Sequence, residues 1–328
     1  MQISIIKPGL LTTIQDLGRF AYRSQAVPVS GAMDKLAASL ANTAVGNIAN
    51  ATVIEFTYAD ASFTVEQDIL IAYSGLGAIL SINDVVLQAD RPLFIPAGKK
   101  VSLINNPKGA RTYLAVAGGW QVPTILGSSS TYLIAKFGGY EGRSLQMGDL
   151  LQHNPKLSDL NLKILASLKG DDIKFPNWGI NNCWYPTGTK EIRVVPAQEF
   201  NWFDGRSITD FLTKPYTLST QCNRMGYNLN GPAFTRAKKG ELLSTAVTFG
   251  TIQVTGNGSL ILLMADGQTT GGYPRIAQVA AVDLPLCAQM KPNDQLFFKE
   301  ISAIAAQTLY IERELELKQL STAIGLKF

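Results

Sequence analysis

The feature that most constrains this chain is its succession of short β-branched and aromatic runs, each closed by Gly, Asn, Asp or Pro. "ASFTVEQDILIAYSG", "RTYLAVAGG", "KEIRVVPAQ" and "GTIQVTGNGSLILLMADG" are examples. Several alternate apolar and polar residues, the pattern of a strand with one face in a core. "IQVTGNGSLILL" reads as a hairpin turning at Thr255-Gly256-Asn257-Gly258, and "LSINDVVL" as another turning at Asn83-Asp84. Gly, Asn and Asp adopt the positive φ of tight hairpin turns at least cost. Many short strands with frequent turns predict a mainly β chain of barrels or sandwiches rather than a doubly wound parallel sheet.

Two helices are expected. Residues 34–45 place Leu36, Leu40 and Ala44 on one face, with Ser30 or Asp34 able to serve the N-terminus and Gly46-Asn47 ending it. A second is expected to start at Pro274, run through Ile276, Val279 and Ala280 to about Val282, and continue briefly after Asp283. Both are rich in small residues and suit close packing over a barrel. The stretch 155–190 mixes a short amphipathic segment with Pro, Gly and Asn and lacks strand alternation. The expected organisation is therefore an N-terminal β-barrel domain over 1–165 carrying helix 34–45, an irregular linker over 166–190, and a C-terminal β-barrel domain over 191–328.

Composition removes several function classes. With 46% hydrophobic and 16% charged residues the chain can bury a large core. Its longest apolar runs are far short of the roughly 20 residues that span a bilayer. "MQISIIKPGLL" lacks a basic leader and a cleavage site, so a soluble cytoplasmic protein with no membrane partner is expected. Lys and Arg total 29 against 25 Asp and Glu, and the basic residues are scattered, which argues against nucleic acid. Cys183, Cys222 and Cys287 lack metal-site spacing, and His153 is the one histidine, so no metal site is expected.

Four glycine-rich polar stretches remain as candidates for chemistry. They are "TTIQDLGRFAYRSQAVPVSGAMD" (12–34), "LAVAGGWQVPTILGSSST" with "KFGGYEGR" (114–143), "STQCNRMGYNLNGP" (219–232) and "MADGQTTGGYPR" (264–275). Each alone reads as a turn. Together they combine exposed backbone N–H groups, able to cradle a carbonyl acquiring negative charge, with Arg19, Arg143, Arg224 and Arg275, able to grip a carboxylate. Asp34 and Asp266 stand where loops meet regular elements, Asp34 with a plain helix cap as its structural alternative. "GQTTGG" lacks the lysine of a phosphate-binding loop, and "GSSST" has no dinucleotide-binding pattern.

Taken in order, these loops, with "NTAVGN", "ARTYLAVAGGW" and "LGSSST", resemble the biotin-dependent carboxyltransferase family, also called allophanate hydrolase subunit 2 or urea amidolyase-related. The likeness covers roughly residues 4–302, and a free-standing chain of this size looks most like the branch of C-type 5-oxoprolinase subunits. The resemblance implies two cyclophilin-like β-barrel domains. It also implies B-type and A-type partner subunits, with which the chain would hydrolyse 5-oxo-L-proline to L-glutamate. ATP with Mg would be used by that complex, no cofactor would be bound by this chain alone, and a homo-oligomer is a further option. Two other readings come with the family. One is a regulatory binder, the antagonist of a histidine-kinase inhibitor. The other is carboxyl transfer from carboxybiotin to a urea-like acceptor, the only reading that involves biotin. The chain departs from the family at Ser129, where an arginine is usual, at Cys222, where serine is common, and at Thr255-Gly256, where a proline pair is common.

A cyclic amide offers a ring N–H beside a C=O. On this reading backbone N–H groups near Gly271 and Gly272 face the amide oxygen, Asp266 or Gln268 accepts the ring N–H, and Arg224 or Arg275 holds a carboxylate. Asp266, Gln268 and Asp34 form the expected catalytic set. Thr269, Thr270, Tyr273, Arg19 and Ser30 complete the expected substrate-binding set.

Overall fold

The computed structural model describes residues 1–181, 184–185, 191–238 and 240–328. Cys183, Lys239 and part of the expected linker fall outside them. The chain divides into two compact units that are not contiguous in sequence. Unit 1 comprises Met1–Arg19, Asp34–Trp184 and Leu317–Phe328; unit 2 comprises Phe20–Met33 and Tyr185–Glu316. The expected halves 1–165 and 191–328 thus meet a different division, because the first glycine-rich stretch is shared and the C-terminal residues return to unit 1.

Unit 1 contains β1 (Gln2–Lys7), β2 (Leu11–Gln15), β3 (Val53–Thr57), β4 (Ala61–Gln67), β5 (Ile69–Gly75) and β6 (Ala78–Ile82). It continues with β7 (Val85–Val86), β8 (Leu93–Ile95), β9 (Lys100–Asn105), β10 (Arg111–Val116) and β11 (Leu150–Gln152). They form a six-stranded sheet, β11-β1-β4-β9-β6-β7, and a five-stranded sheet, β2-β3-β10-β5-β8. Alternation does what it predicts in β1, where Ile3 and Ile5 enter a core with Phe63, Val65, Leu80 and Leu114. Asn83 and Asp84 turn the β6–β7 hairpin with φ of 48° and 63°. Helix α1 (Lys35–Ala44) forms where expected; Asp34 Oδ1 accepts from Ala37 N at 2.9 Å, and Gly46 has φ +80° just past its end. Helix α2 (Asp159–Leu168) takes up the short amphipathic segment of 155–190 and runs three residues into the expected linker, started by a Ser158/Asn161 capping box.

Unit 2 contains β12 (Glu191–Pro196), β13 (Tyr216–Cys222), β14 (Gly226–Asn230), β15 (Thr245–Ala246) and β16 (Thr251–Val254). After them come β17 (Leu260–Leu263), β18 (Thr270–Gly271), β19 (Arg275–Val279) and β20 (Gln295–Glu300). Seven close into a barrel, β12-β19-β16-β17-β14-β13-β20, sealed by the parallel pair β12/β20. The β16–β17 hairpin turns where its glycines predict. Helix α3 (Gly205–Thr213) inserts Phe211, which stacks on Phe298 with ring centroids 4.5 Å apart. Helices α4 (Leu284–Gln289) and α5 (Ala303–Gly325) complete the chain.

The helix expected from Pro274 is instead strand β19. Ile276 and Val279 sit at helical spacing, yet Ile276, Ala277 and Val279 are all buried between β12 and β16. A strand buried in a barrel carries the same apolar density as a short helix, and pairing on both edges decides the matter. The short continuation after Asp283 is α4. Segment 264–274 therefore joins two barrel strands rather than a strand and a helix.

Candidate functional site

Two of the four glycine-rich stretches converge within unit 1, on Asp16. Its carboxylate is buried and receives four donors: Ser128 Oγ at 2.7 Å, Ser130 Oγ at 2.5 Å, and the backbone N–H groups of Gly18 and Ser129 at 2.7 Å each. Arg19 lies beside it, 1% exposed, donating from Nη2 to Ser130 O, with its guanidinium 4.8 Å from the Phe137 ring centroid. The 136–143 loop reaches this point because a side chain at Gly138 would collide with Ser130 O, and one at Gly139 with Thr131 Oγ1. Ser129 supplies its backbone N–H to the cradle. Lys35, half-buried in the first turn of α1, feels the Asp16 charge, while burial lowers its amine to about 8.

Asp34 is fully buried as the α1 cap, and its backbone N–H donates to Tyr113 Oη at 2.8 Å. Tyr113 Oη in turn donates to Glu55 Oε2 at 2.7 Å. Burial, with Glu55 and Asp34 nearby, pushes the phenol well above its ordinary range. Asp34 thus has the capping role weighed as its alternative.

In unit 2, Asp266 and Arg224 face each other. Arg224 Nε donates to Asp266 Oδ2 at 2.8 Å and Nη2 to Oδ1 at 3.2 Å, both side chains being 5% exposed. Nη2 also donates to Gly31 O at 2.6 Å, beside Ser30, whose buried Oγ has no hydrogen-bond partner among the described residues. The roles expected of Asp266 as acceptor of a ring N–H and of Arg224 as carboxylate clamp meet a different arrangement, in which each engages the other. Downstream, Gln268, Thr270, Gly272 and Tyr273 are exposed, while Thr269 and Gly271 are buried. Thr270 and Gly271 pair with β15, and Thr269 O accepts from Val247 N at 3.0 Å. The segment turns tightly, with Asp266 N donating to Arg224 O and Gly267 N to Met264 O, and it is followed by strand rather than helix. Its first N–H groups are thus already used, which does not fit a phosphate cradle.

Arg275 is held by Glu199: Nε donates to Oε2 at 2.7 Å and Nη2 to Oε1 at 2.8 Å. Burial raises the Glu199 carboxyl, but the bonds from Arg275 outweigh it and leave the group below its ordinary value. Arg143 is likewise bidentate on Asp149, at 2.7 and 2.9 Å. Arg275 borders a cleft of about 300 Å³ with Gln198, Val247, Thr248, Thr251 and Gln278. The β15–β18 ladder ties the 264–274 segment to this cleft through Ala246 and Val247.

Sequence reasoning missed Asp16, Lys35, Glu55, Tyr113, Glu199, Thr248 and Gln278. Asp16 stood inside a quoted loop and Glu199 just past a strand, and neither position names the partner it meets in the fold.

Comparison with known proteins agrees with the loops. The chain is 36% identical to the C subunit of 5-oxoprolinase from Escherichia coli K12, over 97% of both chains. It is 33% identical to the C subunit of 5-oxoprolinase from Haemophilus influenzae, over 99% of both. The crystal structure of Kluyveromyces lactis urea carboxylase superposes with a TM-score of 0.87 at 27% identity, covering 97% of this chain and 29% of that one. Residues 25–300 match the carboxyltransferase domain, subdomains A and B. The chain belongs to that carboxyltransferase-domain family.

Proposed function

We propose that this chain is the C-type subunit of an ATP-dependent 5-oxoprolinase, cleaving 5-oxo-L-proline to L-glutamate together with B-type and A-type partners. The observation that carries this reading is the 36% identity running over 97% of both chains to a protein of that name. The reaction adds water across a ring C–N bond, leaving a carboxylate on carbon and a proton on nitrogen. A site for it needs groups that recognise both halves of a cyclic amide. In unit 2 the exposed edge of the 264–274 segment, Gln268, Thr270, Gly272 and Tyr273, supplies such polar groups, and the buried Arg224–Asp266 pair holds that edge in place. ATP is used elsewhere in the complex. The proposed assembly is cytoplasmic, and no helix among the described residues is long and apolar enough to cross a membrane.

The test is co-purification with homologues of the B-type and A-type partners, followed by an ATP-dependent assay of glutamate release from 5-oxoproline. Release should require all three chains. Release that persists without this chain overturns the reading. The likeness to urea carboxylase supports a second reading, carboxyl transfer to a urea-like acceptor. It requires a biotinylated carrier protein and predicts carboxylation in place of ring opening.

A further inference from the structure

The part of helix α5 that belongs to unit 2, residues 303–316, carries apolar residues on two opposite sides. One side is anchored. Arg313 donates there from Nη1 to Val282 O and from Nη2 to Ala281 O, at 3.1 Å each, and Leu309 on the same side is half-buried. The other side carries Ile304, Ile311 and Leu315, which are 78%, 49% and 55% exposed. At about 100° per residue these three and Thr308 fall within an arc of about 60°, turned away from Leu309 and Arg313. Thr308 Oγ1 donates to Ile304 O at 3.0 Å, so its hydroxyl proton is engaged inside the helix and the stripe is not interrupted.

A helix anchored along one side ordinarily turns a polar side to water. Here the outer side reads 304, 308, 311, 315, a 4-3-4 spacing that extends over about 17 Å of helix. That spacing is the seam along which a second helix packs. The bonds from Arg313 already hold the seam in place, which lowers the ordering cost of docking on it.

Charge selects the occupant. Glu312 and Glu314 are exposed and stand about 80° to either side of the axis of the stripe. A second copy of this stripe sets glutamate against glutamate on both flanks, whether the two helices run parallel or antiparallel, and like charges so placed repel. An anionic membrane surface meets the same repulsion. A helix whose apolar stripe is flanked by Lys or Arg matches both the seam and its rim.

We infer that the outer face of 304–315 is a docking seam for an amphipathic helix of a partner chain. The partner's apolar stripe lies against Ile304, Ile311 and Leu315, and its Lys or Arg side chains pair with Glu312 and Glu314. The assignment does not depend on the proposed reaction.

The probes are two synthetic helices with the same leucine stripe at 4-3-4 spacing, one flanked on both sides by lysine and the other by glutamate. Each is labelled, titrated with the full chain and followed by fluorescence anisotropy. The lysine-flanked helix should bind, and the glutamate-flanked helix should bind about tenfold more weakly. Ile311→Ala with Leu315→Ala should weaken the lysine-flanked helix by about tenfold or more, with the circular dichroism of the chain unchanged. Glu312→Lys with Glu314→Lys should reverse the preference between the two probes, a result that general stickiness of the peptides does not produce. No binding of either probe, equal binding of the two, or wild-type affinity in the double alanine variant overturns the assignment. Sedimentation of the chain alone and flotation with phosphatidylserine vesicles test the other occupants. Self-association, or vesicle binding, that the double alanine variant abolishes overturns it in favour of a second copy or a membrane.

Discussion

Arg224 and Asp266, 42 residues apart, meet in a buried pair whose two contacts measure 2.8 and 3.2 Å, and the arginine also serves Gly31 O at 2.6 Å. The aspartate that most invites a catalytic role is thereby the counter-ion of a side chain that ties three segments of unit 2 together. Removing one partner leaves the other charge buried and uncompensated. Asp266→Ala should lower unfolding stability by about 3–5 kcal/mol, and Arg224→Met with Asp266→Leu together should recover most of it. Urea denaturation of the three proteins checks this. A stable Asp266→Ala protein that assembles normally but does not turn over would return Asp266 to the chemistry.

What could be read in the sequence depended on how local the deciding interaction was. Asn83-Asp84 and the 255–258 turn marked their hairpins because turn geometry is set within four residues. The α1 cap at Asp34 was legible for the same reason. Strand β19 was misread because Ile276, Val279 and Ala280 satisfy helical spacing, and the pairing partners that settle the matter lie far along the chain. Helix α5 was missed because it shows no single apolar stripe: Ile304, Ile311 and Leu315 are exposed, while Leu309, Leu317 and Leu320 are partly buried. The site loops were found as loops. Their ion pairs were not, since Arg275 and Glu199 are 76 residues apart and Asp16 meets Ser128 across 112. No periodicity reports such a meeting.

The Asp16 cradle depends on the close approach of the 136–143 loop, and two glycines separate the contributions. Gly139 has φ +56°, and a side chain there would collide with Thr131 Oγ1; Gly127 has φ +74° with nothing near. Gly127→Ala should cost about 1 kcal/mol for its backbone alone, within the usual range for that conformation. Gly139→Ala should cost several kcal/mol, on the order of 3 or more, because the collision adds to the same backbone penalty. Thermal unfolding of the two variants tests the difference, and similar melting temperatures would show that the loop yields easily.

The Arg275–Glu199 pair predicts an acid limb. The Glu199 carboxyl stands below its ordinary value of 4.5 in the folded chain, so the folded state holds fewer protons than the unfolded one as the pH falls through that region. Its contribution is complete above the unfolded value and is lost as the pH drops through the folded one. Glu199→Gln should be less stable than the wild type at pH 7, and the gap should narrow progressively as the pH falls below 4.5. Unfolding free energies measured across that range check it. A gap that stays constant would mean the pair's charge contributes nothing.

Lys35 titrates in the opposite sense. Burial lowers its amine from 10.5 to about 8 despite the nearby Asp16 charge, so between those values the unfolded chain holds a proton that the folded chain has released. Stability attributable to this group therefore rises with pH across that window, and below it the buried ammonium carries its full penalty. Lys35→Met removes the penalty and keeps the length of the apolar stem. The variant should be more stable than the wild type at pH 7, and the advantage should shrink steadily as the pH approaches 10.5. Chemical denaturation at the two pH values reads this directly. An independent readout is the pH dependence of amine labelling followed by mass spectrometry, in which Lys35 should react with a midpoint near 8 while the exposed lysines react only at higher pH. A variant less stable than the wild type at pH 7, with a labelling midpoint like that of the exposed lysines, would mean that the ammonium is favoured where it stands and that Asp16 outweighs burial.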